Sequence, residues 1–198
     1  MTLTIVISII AGIFCGKFML PDIMVSHLDS MATISLDILL LLVGIEVGSN
    51  KNIINDIKSS GRASLIVPLS IVAGSLMGGL SAGIIFGIPS NISLSIASGF
   101  GWYSLSGIML TNLADAQVGT IAFLTNVLRE VTAVVSIPFI AKYLGHYCAI
   151  APAGATSMDT TLPLISRSTS PGVVIVSFVN GVILSSLVPL LVSFFYSI

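Results

Sequence analysis

The sequence predicts an all-α fold: a polytopic transmembrane helical bundle, one domain over residues 1–198, with two discontinuous (broken) helices. Three observations carry this. Of 198 residues, 55% are hydrophobic and only 8% are charged, with a mean hydropathy of +1.11. A soluble domain is about a quarter charged, so these few charges cannot cover a water-facing surface. The apolar residues also fall into runs of roughly 20, the length a helix needs to cross about 30 Å of hydrocarbon. Finally, two runs are interrupted by Gly, Ser, Thr and Pro.

Taken in order, the first span covers 2–20 and stops at Pro21-Asp22. It has no basic leader and no small-residue cleavage site, so it reads as a retained span. The second covers 31–49 and holds Asp37 and Glu46. A polar connector at 50–62 carries Lys51, Lys58 and Arg62 against Asp56. The third span, 63–87, is rich in Gly, Ala and Ser, which let helices approach closely. A turn, "IPSN", leads to a segment at 92–114, followed by a span at 118–141, a segment at 148–167 and a last span at 172–196. The basic connector belongs on the cytoplasmic side and the acidic 21–30 connector outside, which places the N-terminus inside. Whether 148–167 crosses or dips and returns stays open, and with it the side of the C-terminus.

The interruptions are "ASGFGWYSLSG" at 97–107 and "APAGATSMDTT" at 151–161. Backbone freed from a helix inside a bilayer costs several kcal/mol unless protein or water satisfies it. The two breaks should therefore face each other or a polar pathway. Interrupted helices are also how many secondary transporters build a midplane site. Aligning "GFG" with "AGA" brings Ser104 within one position of Ser157. Trp102 lies inside the first break and reads as a cavity wall.

Charges at depth are expensive and mark functional candidates. Glu130 sits mid-span, and its neighbour Arg129 points about 100° away on a helix. Arg129 is thus a charge partner for another helix, or it snorkels towards the interface. Asp159 stands among Thr156, Ser157, Thr160 and Thr161, an oxygen-rich setting that suits a cation, an ammonium group or a proton. Asp37 is a deeper candidate on the second span. Glu46 reads as a gate or an interfacial charge. Asn126 either glues helices or lines a path. No metal set or cofactor motif is present. Cys15 and Cys148 read as small apolar residues, and a net charge of −1 without a basic cluster excludes nucleic acid as a partner. An enzyme is disfavoured: "SLSG" at 104–107 has no histidine at depth to act as base. A channel normally arranges polar breaks in a symmetric ring.

The motifs "LVGIEVGSN" (42–50), "GFGWYSLSG" (99–107), "NVLREV" (126–131) and "PAGATSMDTTLP" (152–163) resemble those of the bacterial lysine exporter family, LysO type. The resemblance implies a protein of the prokaryotic inner membrane that exports L-lysine and toxic analogues such as thialysine. It implies that intramembrane acids, here Glu130 and Asp159, are needed for transport. Longer members carry an additional N-terminal membrane portion, so the resemblance also implies a small membrane subunit or a homo-oligomer as partner. Proton antiport is the expected mechanism, with the carboxylates alternating between ammonium and proton. The α-carboxylate would meet Arg129 or a half-helix N-terminus. The same carboxylates would also serve a cation/proton antiporter of the Na⁺/H⁺ type, which is the alternative.

Overall fold

The computed structural model describes residue 11, residues 14–16 and residues 61–198. The expectations for Asp37 and Glu46, and for the spans over 2–20 and 31–49, lie outside the described residues or nearly so. Within them, the chain runs α1 (Ala63–Phe86), α2 (Ser90–Ala97), α3 (Tyr103–Leu113), α4 (Ala116–Tyr143), 3-10 turns at Cys148–Ile150 and Gly154–Met158, α5 (Leu162–Ser168) and α6 (Pro171–Tyr196). Helices α1, α4 and α6 are each long and apolar enough to cross a membrane. At 1.5 Å per residue, the 24 residues of α1 reach about 36 Å.

Polarity runs inside out relative to a soluble protein. Leu65, Ile66, Leu69, Met77, Ile84 and Ile85 of α1 are exposed, whereas Ser95, Ser106, Asn126, Ser157, Ser177 and Asn180 are buried. Lipid removes the driving force for hiding apolar side chains, so close packing and internal hydrogen bonds hold the helices together. Small residues make that approach possible. Cβ atoms at Gly79 and Gly83 would run into Ala97 and Ser93 of α2. A Cβ at Gly107 would come 3.1 Å from that of Phe123, where α3 meets α4. Asp115 turns the chain between α3 and α4 by accepting from the Val118 N–H at 2.8 Å. Helix α6 is the hub, touching α1, α2, α3, α5 and the 154–158 turn.

Residues 98–102 separate α2 from α3, a shorter gap than the 97–107 stretch that the composition marks. Phe100 (φ 46°) and Gly101 (φ 100°) both have positive φ there. These residues meet 151–158 directly: the Ala155 N–H donates to the Phe100 carbonyl at 2.8 Å. The freed backbone at this crossing is satisfied by specific side chains. Asn126 Oδ1 accepts from the Gly101 N–H at 2.7 Å. Arg129 donates from Nε to the Pro152 carbonyl at 3.1 Å and from Nη2 to that of Ala151 at 3.2 Å. Thr156 Oγ1 donates to the Ala153 carbonyl, and Asn180 Nδ2 to that of Gly154. Ser177 Oγ donates to the Ser157 carbonyl, and Ser157 Oγ returns a bond to Ser177, both at 2.8 Å. Non-helical backbone thus survives in an apolar chain because hydroxyl, amide and guanidinium groups replace the missing helical bonds.

Asn126→Leu tests this bookkeeping, since it leaves the Gly101 N–H buried without an acceptor. Its expected cost is about 2 kcal/mol of unfolding free energy, read by denaturant titration in detergent. An unchanged midpoint would mean the amide is not what holds the break.

Candidate functional site

Helix α4 places Arg129 and Glu130 at its centre. Asn126 stands one turn from both Arg129 and Glu130 (i+3 and i+4), whose side chains diverge by about 100°, so the residues that tie the meeting point border a carboxylate. The 3-10 turn Gly154–Met158 ends at Asp159, whose φ of −133° and ψ of −97° leave the helical region. That turn brings Asp159 to Glu130. The two acids, both half-buried, line one cavity of about 250 Å³ together with Trp102, Ser104, Thr156 and Thr160. Asp159 Oδ1 accepts from the Thr160 N–H at 2.6 Å, and the Thr160 hydroxyl lies 3.5 Å from the same oxygen. Thr160 lines the same cavity as both acids.

Two expected site residues are positioned elsewhere. Ser157 is fully buried behind the turn; its Oγ is engaged with the Ser177 carbonyl and with Asn180 Nδ2 at 2.9 Å. Asn126 is used up by the break, accepting from Gly101 and donating to the Ala122 carbonyl and Ser106 Oγ. Both hold backbone, and neither lines the carboxylate cavity. Arg129 faces away from that cavity. It lines two others, of about 700 and 470 Å³, and donates to Ser75 Oγ of α1 at 2.9 Å.

The cavity also contains residues absent from the expected set. Tyr103 lines it, with its ring edge-on to Phe123 at 5.4 Å. Met158 and Ser185 complete the wall. The four-residue spacing Ser177, Gly181, Ser185 along α6 is the signal that would have found Ser185, because it marks a small-residue face.

Two half-buried carboxylates and several hydroxyls in a small cavity supply oxygen atoms of the kind that suit a cation. The volume is below the roughly 300–1,000 Å³ of pockets that enclose a drug-sized ligand. It suits a small ion or one end of a longer molecule.

A profile described as "Lysine exporter LysO" matches residues 6–196. The chain belongs to the lysine exporter LysO family. LysO-family proteins are named as exporters rather than enzymes. Lysine exporter LysO of Escherichia coli K12 is 40% identical over 169 residues, which are 85% of this chain and 56% of that protein. A putative lysine exporter of Haemophilus influenzae is 34% identical over 161 residues, 80% of each chain. This LysO-family chain thus spans little more than half the length of the E. coli relative. No solved structure matches it.

Proposed function

We propose that the chain carries L-lysine out of the cytoplasm in exchange for protons. In this reading α2 and α3 are halves of one interrupted membrane segment. The stretch from Cys148 to Ser168 is a second, crossing the first at Phe100 and Ala155. The N-terminus is cytoplasmic, in a prokaryotic inner membrane. The ε-ammonium of lysine enters the cavity from the cytoplasm and is met by Glu130 and Asp159. Protons arriving from outside neutralise the same carboxylates and release it.

The observation that supports this most is the cavity itself. It unites two acids from elements some thirty positions apart, in a family named for lysine export. Burying one carboxylate near another is unfavourable unless a cation or a proton joins them, and such a pair favours either occupant over none. Thr160 donates to Asp159 when that acid is ionised.

Reconstitution tests the reading. Vesicles holding the purified chain, acid inside, are expected to accumulate external radiolabelled L-lysine as protons leave. Equal uptake without the pH gradient would remove proton coupling. No lysine movement in either condition would remove lysine as the substrate.

A further inference from the structure

Resting on lysine as the substrate, we infer that Ser185 accepts the third N–H of its ε-ammonium, beside Glu130 and Asp159, and so sets a preference for a primary amine. A primary ammonium carries three N–H donors on one nitrogen. The cavity of about 250 Å³ offers two carboxylates, one from α4 and one from the end of the 154–158 turn. Two acids meet the charge but leave one donor over. A donor taken out of water without an acceptor costs about 1–3 kcal/mol. The third acceptor has to be a neutral oxygen on another wall.

Helix α6 supplies that wall, and its packing holds it in register. Along one face, Ser177 exchanges hydrogen bonds with Ser157, and a Cβ at Gly181 would run into Met158. One turn further on, Ser185 lines the cavity together with Met158 and Asp159. Its neighbour Ser186 closes its hydroxyl on the Val182 carbonyl at 2.9 Å, the usual back-bond of a helical serine. Ser185 makes no such bond, and among the described residues its hydroxyl has no partner. The other hydroxyls of the cavity are less suited. Thr156 gives its proton to the Ala153 carbonyl, the Thr160 hydroxyl lies against Asp159 Oδ1, and Ser104 is exposed. Tyr103 offers a phenol, a weaker acceptor than an alcohol, on a ring packed against Phe123.

The test is binding of L-lysine and of Nε-methyl-L-lysine to the full chain in detergent. The methylated probe keeps the charge and the chain length but has two N–H donors on that nitrogen in place of three. Wild type is expected to prefer L-lysine by about tenfold, the lower end of what a hydrogen bond to a charged group contributes. Ser185→Ala should weaken L-lysine by about tenfold and leave the methylated probe within about twofold, so the preference disappears. Ser186→Ala should change neither. If Ser185→Ala weakens both probes alike, the hydroxyl only shapes the cavity and the inference falls. It also falls if lysine binding is unchanged, or if the variant no longer melts as the wild type does. A wild-type chain that binds both probes equally overturns this inference alone. One that binds neither overturns lysine as the substrate, and the inference with it.

Discussion

Glu130→Gln is expected to reduce proton-driven lysine uptake into vesicles by at least about a hundredfold while the protein stays folded. The substitution keeps shape and volume and removes one negative charge from a cavity of about 250 Å³. An ammonium taken out of water then faces one carboxylate instead of two. Losing one partner of a buried charge pair costs about 3–5 kcal/mol, and every 1.4 kcal/mol is tenfold. Asp159→Asn should act alike. The double variant should be little worse than either single one, because the two acids share one cavity. Flux in vesicles, with melting in detergent as the folding control, decides it. Either single variant retaining full lysine flux would exclude the shared-carboxylate mechanism.

The largest structural effect is expected at Gly154. Its φ is +62°, where a side chain costs about 1–2 kcal/mol. A Cβ there would also run into the Phe100 carbonyl, which is backbone and cannot swing aside. Overpacking adds about 1–3 kcal/mol, so Gly154→Ala should lose about 2–5 kcal/mol. Gly87→Ala is the control. Its φ is +67°, yet nothing lies within 4 Å of the added carbon, so only the conformational cost applies. Denaturation in detergent should place Gly154→Ala well below Gly87→Ala. Equal losses would mean the two segments do not press together at Phe100.

How much of this was legible in the sequence depends on the kind of signal. The long spans were read over 63–87, 118–141 and 172–196 and form at 63–86, 116–143 and 171–196. Their ends are set by local chemistry: Gly87 at a left-handed φ, Asp115 as an N-cap and Pro171 in a first turn. The rule that free backbone needs a partner left open whether 98–102 would meet 151–158 or a polar pathway, and the two segments meet. That Glu130 and Asp159 would share a cavity was only suggested by their depth. Which way each hydroxyl points could not be read. Ser157 and Thr156 are neighbours of the same polarity, but Ser157 turns to Ser177 while Thr156 borders the acids. Composition marks both alike; only the packing of α6 tells them apart. The partners of Arg129 escaped for a similar reason, since two of its three acceptors are carbonyls, which every residue has. Asp37 and Glu46 lie outside the described residues.

The buried bonds of the 154–158 turn bear on biogenesis. Two of its carbonyls, those of Gly154 and Ser157, wait for Asn180 and Ser177, which leave the ribosome 26 and 20 residues later. Until α6 is inserted, those two carbonyls have no side-chain donor and cannot be abandoned to lipid. Closing of the interior therefore waits for the delivery of α6.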